Sequence, residues 1–568
     1  MTIFIRKIDD LTYGVSSPRY HQTLRDVAKA TPGMRWAPDL KTWIGWNDAC
    51  AVVASRLKQL GTPDIRIQAA IGPSAFSSSD GREKRVSASL RDYQITGVKF
   101  ILENAGAGAM LADDMGLGKT LTTLRSIQAL GKPAVIVCPS FVRGVWSREV
   151  KKWLGDKVHV IELFGTSAKC KVCKGAKVIE VEHHEVFCEA CQATGLIDLR
   201  FNSPATIFLL HYDIIHAWVD PILQVIGEDF VVAFDEAHYL QSDTSRRSKA
   251  CRGLARKATY RIGLTGTPMT SRPRDLWNVV DTLCPNRFGR PFDFYLRYCA
   301  AEKETVTTKD GDKTFWNTKG SSHLDELNFR MKYFMLRRTK SDVALELPPK
   351  TRQIVEVEVP RPKRDFRDIL KSEKLLREAL ALAADGKLPK VLEMIESHVE
   401  GGSKIICFTY RKAIAEQIAD ALRGVEINVA VITGDVKQSA RNDTVENQPS
   451  VICCTMDSTA VGIDLSYADV GVFVELDWVP SKLAQAEARL HRFGQKKNVL
   501  IQYVIAAGTA DEIISDTVIE KLDHFVKAIG KIDDGLKETL EGGKLSSVDQ
   551  LRRFYEKVMA EKKTKEKR

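Results

Sequence analysis

Short runs of consecutive apolar residues recur along the chain, separated by helical or irregular polar stretches. Between about residues 90 and 280 these runs are rich in β-branched side chains. Continuous apolar runs of this kind are typical of parallel strands that are buried on both faces. The segments predicted as strands here are AVIVCP, TIFLL, VVAFDE and RIGLTG.

A second series of apolar runs follows the LPPK segment at residues 347–350. Its members are KIICFT, NVAVITG, SVICC, VGVFVEL and VLIQYVI. Two such series in one chain predict two α/β lobes in tandem. Residues 277–345 and 361–400 carry mostly helical, charged patterns, so we interpret them as helical insertions on the lobes. No internal sequence repeat is evident.

The N-terminal part has a different pattern, with three tryptophans and then the helical pattern AVVASRLKQLG. It is predicted to be a small α+β module. The Gly-, Ser- and charge-rich stretch GPSAFSSSDGREKR that follows is predicted to be a flexible linker. The predicted organisation is an accessory module at 1–71, a linker at 72–87, lobe 1 at 88–345, lobe 2 at 346–510, and C-terminal helices with a basic tail at 511–568.

Composition narrows the class of protein. A chain of 568 residues is too long for one hydrophobic core. It has no run of about 18 apolar residues that could span a membrane, and its N-terminus lacks a secretory signal pattern. We therefore expect a protein of the bacterial or virus-infected cytoplasm, or of the nucleus if the host is eukaryotic. The net charge of +11 favours a polyanionic partner, although a basic enzyme with no nucleic-acid role fits it as well.

The segment LADDMGLGKT, residues 111–120, has the pattern of a phosphate-binding loop. Gly116 and Gly118 would let backbone N–H groups approach phosphates at a helix N-terminus. Lys119 would reach the β- and γ-phosphates, and the Thr120 hydroxyl would ligate Mg²⁺. The segment therefore predicts an ATP site.

Two features around this loop complete the prediction. Asp113 stands where the strict Walker pattern has glycine, so only the second half of that pattern is present and a chance GxGKT loop is the alternative. Upstream, the amide of Gln94 has the donor and acceptor needed to read an adenine edge, or it is simply an exposed residue at a helix start. The predicted nucleotide contacts are Arg91, Gln94, Asp114, Met115, Gly116, Leu117, Gly118, Lys119 and Thr120.

The segment VVAFDEAH, residues 231–238, ends an apolar run with two carboxylates. Asp235 would hold Mg²⁺ through water and Glu236 would polarise the attacking water. A surface acidic pair is the alternative, but the position after a strand and downstream of Gly-Lys-Thr favours catalysis. LTGTP, residues 264–268, ends another apolar run with two hydroxyls that can sense the γ-phosphate.

In the second half, QAEARLHRFGQ spans residues 485–495. Gln485, Arg489 and Arg492 are spaced by four and three residues, which predicts that they share one face of a helix. Planar guanidiniums directed at a nucleotide on the other lobe would stabilise the charge of phosphoryl transfer. The alternative is a solvated basic helix.

Two CxxC pairs form a separate pattern. They are Cys170 and Cys173, then Cys188 and Cys191. Two thiolate pairs at this spacing suit tetrahedral Zn²⁺, so a zinc ribbon is predicted at residues 165–199, inserted in lobe 1. A disulfide or a coincidence is the alternative. His183 and His184 between the pairs suggest an HNH nuclease, but the interval is too short for that motif and solvated histidines are favoured.

Taken in order, DDMGLGKT, DEAH, LTGTP, FMLRRTKSDVALELPPK (334–350) and QAEARLHRFGQ resemble the motif series of superfamily 2 helicases, specifically the Swi/Snf family. The similarity covers about residues 88–530. VFVELDWVPSKLAQAEARLHRFGQ is most similar to the annealing-helicase branch, and RWAPDLKTWIGW resembles the HARP-type modules of that branch. The resemblance implies two RecA-like lobes, hydrolysis of ATP with Mg²⁺, and a monomeric motor that translocates on duplex DNA and rewinds or remodels forked DNA.

Two residues depart from the family pattern. Asp464 stands where many relatives have Asn or Thr, and Ala488 stands where Asp is usual, so both are expected to tune activity.

Two alternatives to the predicted function are left open. One alternative is a DEAH-type RNA helicase, against which the segment QAEARLHRFGQ argues. The other is a zinc-dependent DNA-binding scaffold with an inactive ATPase, against which the retained lysine, carboxylates and arginines argue.

Overall fold

The structure is a computed structural model with two compact units. It describes residues 2–9, 11–61, 64–67, 90–156, 158–166, 178–181, 184–187, 206–269, 272–308, 311–343, 347–359, 373–436, 438–459, 463–512, 514–515, 518–519 and 527–528. Most described residues up to Arg338 form the first unit, and most from Thr339 onward form the second, which also includes Met115–Leu117. Each unit is described by itself.

The first unit begins with a five-stranded sheet in the order β3-β4-β2-β1-β5, on which two helices pack. Only β1 and β5 pair in parallel. The core of this N-terminal module consists of buried aliphatic side chains of the first strand and of both helices, such as Ile5, Val27 and Leu57. The elements are β1 Thr2–Lys7, β2 Thr12–Ser16, α1 Gln22–Lys29, β3 Arg35–Ala37, β4 Thr42–Trp46, α2 Asn47–Gln59 and β5 Asp64–Ile67.

The remainder of the first unit is built on a seven-stranded parallel sheet in the order β16-β6-β13-β12-β7-β11-β8. Every residue of β7 is buried, as its continuous apolar run predicts. The strands of this part are β6 Ala109–Leu111, β7 Ala134–Cys138, β8 His159–Glu162, β9 Val178–Val181, β10 His184–Phe187, β11 Thr206–His211, β12 Val231–Asp235, β13 Tyr260–Leu264, β14 Glu302–Thr308, β15 Gly311–Asn317 and β16 Met335–Leu336.

Helices connect these parallel strands and cover the sheet. They are α3 Asp92–Asn104, α4 Lys119–Leu130, α5 Arg143–Leu154, α6 Ile215–Ile226, α7 Arg246–Lys257, α8 Arg274–Leu283, α9 Pro291–Tyr298 and α10 Leu324–Met331, with 3-10 turns at Ser140–Val142 and Ala237–Leu240. Two antiparallel hairpins, β9 with β10 and β14 with β15, lie outside the main sheet. The prediction of a mostly helical insertion at 277–345 is therefore incomplete, because the second hairpin interrupts it.

The second unit contains a six-stranded sheet in the order β17-β22-β21-β18-β20-β19, in which every pairing is parallel. Its elements are α11 Lys340–Val343, β17 Lys350–Glu358, α12 Glu373–Glu400, β18 Ile405–Thr409, α13 Lys412–Gly424, β19 Val429–Ile432, α14 Gln438–Glu446, β20 Val451–Thr455, α15 Met456–Thr459, β21 Val470–Phe473, α16 Pro480–Leu490 and β22 Val499–Ala507. The predicted α/β class with parallel sheets is confirmed.

Single cysteines of the predicted strands are buried thiols inside the two parallel sheets. Cys138 lies in β7, Cys407 in β18, and Cys453 and Cys454 in β20. Removal from solvent raises the pKa of the Cys138 thiol and keeps it protonated. Within the described part of the chain, no helix combines the length and the apolar character that a membrane crossing requires.

Candidate active site

The predicted phosphate-binding loop joins the end of β6 to the first residue of α4, Lys119. Gly116 and Gly118 have φ values of 86° and 74°, in the left-handed region where glycine is favoured. A Cβ atom at Gly118 would lie 2.5 Å from Nε2 of Gln94, so a larger residue there would displace the glutamine amide. The loop thus has the tight backbone that a phosphate cradle needs.

Lys119 is the charged centre of this loop. Its Nζ donates hydrogen bonds to the carbonyl oxygens of Asp113 at 2.6 Å and Asp114 at 3.1 Å. Removal from solvent lowers the pKa of Lys119, and the negative charges of Glu236 and Asp113 act in the opposite direction. Thr120 is the next residue of α4 and is half-buried, Met115 is half-buried and Leu117 is buried.

Asp235 is the last residue of β12, at the edge of the sheet where the loop after β6 also begins. Its Oδ2 accepts a 2.7 Å hydrogen bond from Nε1 of Trp146, and its backbone oxygen accepts one from the Tyr212 hydroxyl at 2.7 Å. Shielding from solvent and the neighbouring Glu236 charge raise the pKa of Asp235 to about 6. The hydrogen bond from Trp146 of α5 therefore fixes the orientation of the Asp235 carboxylate at the end of β12.

Glu236 follows in a left-handed conformation with φ of 50°, which turns the chain sharply after the strand. Its Oε2 lies 3.2 Å from Nδ1 of His238 and accepts a 3.4 Å hydrogen bond from the Thr265 hydroxyl. Thr265 directly follows β13, the strand between β6 and β12. The sheet thus brings LTGTP next to the DEAH segment.

Two arginines to which the sequence analysis assigned no role bind the loop. Both follow β16, the strand that neighbours β6 in the sheet. After β16, Arg337 donates to Oδ1 of Asp114 at 3.2 Å and to the Ala112 carbonyl at 2.8 Å. Arg338 makes a two-pronged contact with the carboxylate of Asp113, with Nε to Oδ1 at 2.9 Å. Asp113, which departs from the Walker pattern, therefore has a structural partner. Two consecutive arginines after an apolar pair were the signal that could have identified them.

Gln94 and Arg91 lie at the start of α3, beside the same loop. Arg91 precedes the helix, and its backbone N–H donates to Oε1 of Gln94 at 3.1 Å. The Gln94 amide is buried and faces Gly118. The alternative, an exposed glutamine at a helix start, is therefore wrong, because the Gln94 amide is buried against the loop.

Family comparisons agree with this geometry. Residues 93–397 match the model of the SNF2-related domain, and residues 386–494 match that of the helicase conserved C-terminal domain. The chain belongs to the SNF2-related family. The resemblance to the Swi/Snf family is confirmed.

Several curated proteins resemble this SNF2-related chain. The SWI/SNF-related matrix-associated actin-dependent regulator of chromatin subfamily A-like protein 1 of Xenopus tropicalis is 29% identical over 487 residues, covering 81% of this chain and 47% of that protein. The DNA annealing helicase and endonuclease ZRANB3 of Homo sapiens is 28% identical over 494 residues, covering 80% and 41%. The chain thus spans about half the length of the curated relatives it matches. A solved Sulfolobus solfataricus SWI2/SNF2 ATPase core in complex with dsDNA is 23% identical, with a TM-score of 0.36 and coverage of 82% and 95%.

In the second unit, α16 carries two of the predicted site residues of this SNF2-related chain. Gln485 and Arg489 are four residues apart on the helix, and both are half-buried. The helix ends at Leu490, so the prediction that Arg492 shares its face is wrong. Arg492 lies in the turn that follows, 3.8 Å from Asp464.

Side chains from beyond the helix explain why it ends there. Nε2 of Gln495 donates to the carbonyl of Leu490 at 3.3 Å and to that of Ala468 at 2.8 Å. Gly494 has φ of 107°, which α-helix does not permit. The Leu490 carbonyl, which a longer helix would satisfy internally, thus accepts its hydrogen bond from a glutamine side chain.

Asp464, one of the departures from the family pattern, is about half-exposed. Its Oδ1 accepts a 3.1 Å hydrogen bond from the backbone N–H of Ser466, and its side chain faces Arg492. Ala488, the other departure, is half-buried on α16. The acidic residue therefore contacts an arginine of the predicted site.

The predicted zinc ligands lie outside the described residues, as do the linker at 72–87 and His183. Between the two cysteine pairs the structure describes only the β9–β10 hairpin, in which His184 pairs with Val181. In the described ranges, no group of three or more His, Cys, Asp or Glu residues is arranged to hold a metal ion.

Proposed function

We propose that this chain is a DNA-dependent ATPase that uses ATP hydrolysis to translocate along duplex DNA and to anneal or remodel forked DNA. One observation carries the proposal: Lys119, which ends the loop after β6, and the pair Asp235–Glu236, at the end of β12, lie at one edge of the same parallel sheet and interact electrostatically. A lysine at a helix N-terminus beside two carboxylates is the arrangement that phosphoryl transfer from ATP requires. The SNF2-related match to residues 93–397 supports the same activity.

The donor set fits Mg²⁺ as well as ATP. Asp235 and the Thr120 hydroxyl supply hard oxygen ligands, which Mg²⁺ prefers. Trp146 and the backbone N–H of Glu236 donate to separate oxygens of the Asp235 carboxylate, so it is oriented before a metal arrives. Bound Mg²⁺ would neutralise charge on the phosphates. Glu236 would orient the attacking water, and Arg489 and Arg492 would stabilise the charge of the transition state.

Duplex or forked DNA is the substrate that we propose on the strength of the relatives. ZRANB3 is named a DNA annealing helicase, and the net charge of +11 suits a polyanion. The test is the rate of ATP turnover without nucleic acid and with single-stranded DNA, duplex DNA, forked DNA or duplex RNA. We expect the strongest stimulation by forked or duplex DNA. Stimulation by RNA alone would favour the DEAH-type RNA helicase, and no turnover on any substrate would favour the inactive scaffold.

We propose that the N-terminal module recognises DNA structure, as its HARP-like sequence suggests. Its tryptophans differ in their surroundings: Trp36 is 47% exposed, whereas the ring of Trp46 lies 4.6 Å from the Arg287 guanidinium. Only an exposed ring can stack on an unpaired base, an interaction worth about 1 to 3 kcal/mol. Trp36→Ala should weaken the preference for forked over duplex DNA and leave duplex-stimulated turnover intact. Leu60→Ala, at another exposed position of the module, is the control.

We also propose that Cys170, Cys173, Cys188 and Cys191 bind structural Zn²⁺. The β9–β10 hairpin between the pairs is consistent with a ribbon whose two thiolate pairs flank it. Elemental analysis of protein purified without chelators should find about one zinc per chain. Less than about half an equivalent would contradict the site, and the parallel sheet of the first unit should survive removal of the metal because it has its own core.

The cell compartment follows from this function. We propose that the protein works where its DNA substrate is, in the cytoplasm of a bacterial or virus-infected cell or in a eukaryotic nucleus.

A further inference from the structure

Glu487 is a buried carboxylate that lies on α16 between Gln485 and Arg489. Its side chain is 1% exposed, and it accepts hydrogen bonds from Lys350 Nζ at 2.9 Å, from Arg352 Nε at 2.7 Å and from the Tyr503 hydroxyl at 2.6 Å. The Arg352 guanidinium also bonds its second oxygen at 2.7 Å. The two cations hold the pKa of Glu487 far below its usual range despite its burial.

This carboxylate anchors the side of α16 opposite the predicted catalytic residues. Residues two positions apart in an α-helix are rotated by about 200° around its axis. Glu487 is two positions from Gln485 and two from Arg489, so the side chain that is clamped and the two that are predicted to act lie on opposite sides. Fixing one side of a helix fixes the direction of the other.

The two cations that bind Glu487 come from the first part of the second unit. This part is here named the entry segment and consists of residues 339–343 and 347–352. The same segment holds the turn after α16. Nε2 of His491 lies 2.8 Å from the Pro348 carbonyl, and Lys340 Nζ donates to the His491 carbonyl. Arg492 is the next residue of that turn. The entry segment therefore contacts both the helix that carries Arg489 and the turn that carries Arg492.

We propose that Glu487, Lys350 and Arg352 are positioning residues for ATP hydrolysis, through which the entry segment sets the direction of Arg489 and Arg492. This inference rests on the proposed ATPase function. The entry segment begins where the first unit ends, at Arg338 and Thr339 along the chain. A displacement of the entry segment would be transmitted to Arg489 through the ion pairs with Glu487. It would be transmitted to Arg492 through the contacts with His491.

The test compares steady-state ATP turnover, with saturating duplex DNA, in Glu487→Gln, Arg352→Gln and wild-type protein. Glutamine keeps the size of the side chain at 487 and removes the charge that both cations bind. Arg352→Gln is the milder change, because Lys350 and Tyr503 still contact Glu487. We expect kcat to fall by about ten- to a hundredfold, the range for misplacing a catalytic group. The KM for ATP should change by less than about twofold, since Lys119 and its loop are intact.

Asp511→Asn is the matched control for loss of a buried ion pair. Asp511 pairs with Lys387, which is completely buried in the same unit, and the structure shows no contact of this pair with α16 among its described hydrogen bonds and ion pairs. It should lower thermal stability as much as Glu487→Gln while keeping kcat within about twofold of wild type. Arg352→Lys, which retains a cation, should recover part of the kcat lost in Arg352→Gln.

The outcomes separate the two claims. Wild-type protein without DNA-stimulated turnover would overturn the proposed function and this inference with it. Active wild-type protein together with kcat in Glu487→Gln and Arg352→Gln as high as in Asp511→Asn would overturn the positioning role alone. A rise in KM at unchanged kcat would also overturn it, because Lys119 and its loop would then be the part affected.

Discussion

Each unit contains a buried carboxylate that pairs with two buried cations, and the two clusters join different parts of the chain. In the first unit, Asp48 is fully buried and pairs with Arg330 at 2.6 Å and with Arg287 at 3.0 Å. In the second unit, Glu487 pairs with Lys350 and Arg352. The first cluster joins α2 of the N-terminal module to residues more than 200 positions away, whereas the second joins a helix to the segment that opens its own unit.

The surroundings of the clusters differ in the same way. The Arg330 guanidinium lies 4.1 Å from the ring centroid of Phe288, and that of Arg287 lies 4.6 Å from the ring of Phe334. Arg330 also donates to the Pro32 carbonyl at 2.7 Å. These contacts seal an interface between the module and the rest of the first unit. The Glu487 cluster instead includes the hydroxyl of Tyr503, a residue of β22 in the six-stranded sheet.

The comparison teaches that similar ionic chemistry fixes two kinds of relationship. Buried ion pairs add little net stability over apolar packing, but removing one partner leaves an uncompensated charge. Such a cluster therefore specifies one arrangement strongly. In the first unit the arrangement is the docking of the N-terminal module, and in the second it is the orientation of α16.

The largest effect is expected from Asp48→Ala, which leaves Arg330 and Arg287 buried without their carboxylate. Loss of one partner of a buried pair destabilises proteins by about 3 to 5 kcal/mol. Urea unfolding should show that decrease for the first unit. Asp26→Ala removes an exposed ion pair of the same module and should change stability by less than about 1 kcal/mol. Equal effects of the two substitutions would show that the module is not held by Asp48.

Glu236→Gln gives the scale for a residue proposed to meet the reacting groups, against which the proposed positioning role of Glu487 can be judged. Turnover should fall at least about a hundredfold, since a positioned base or charge stabiliser is lost, while ATP binding persists. The measurement is turnover together with ATP affinity by equilibrium binding. Glu228→Gln changes an exposed carboxylate of the same unit and should keep normal turnover. Near-normal turnover in Glu236→Gln would remove it from the active site.

A smaller effect, confined to the first cluster, is expected from Gly33→Ala. Gly33 has φ of 89°, and a Cβ there would lie 2.1 Å from the Arg287 carbonyl oxygen. Gly61 also has positive φ, 77°, but nothing lies within 4 Å of its Cβ position. Gly61→Ala therefore measures backbone strain alone, and Gly33→Ala should be more destabilising by about 1 to 3 kcal/mol, the range for overpacking. Equal unfolding free energies for the two variants would contradict the close docking of the module.

The smallest effect is the pH dependence of the Glu487 contribution. Because its pKa is lowered in the folded state, its stabilisation is fully present above the unfolded pKa of about 4.3 and is lost as pH falls below that value. The difference in unfolding free energy between wild type and Glu487→Gln should be constant from pH 6 to 8. It should shrink by about 1.4 kcal/mol at one pH unit below 4.3. A difference that widens on acidification would contradict the ion pairing.

The sequence by itself determined four of the seven strands in the parallel sheet of the first unit, five of the six in that of the second, and the candidate residues of the ATP site. The apolar runs from AVIVCP to VLIQYVI all became strands, because burial on both faces requires continuous apolar residues. Lys119, Asp235 and Glu236 could be predicted as site residues because the residues that form a phosphate loop or end a strand in carboxylates are neighbours in the chain. Their meeting follows from parallel topology, in which strand ends share one edge.

The tertiary structure alone decided the features that depend on partners distant in sequence. The strands β6 and β16, of three and two residues, are too short to show a period and exist because they pair in the sheet. Arg492 left its predicted helix because the side chain of Gln495 caps Leu490. The ion clusters of Asp48 and Glu487 join residues more than 130 positions apart. No local pattern records such pairs, since each charged residue alone is typical of a solvated surface and only folding removes its water.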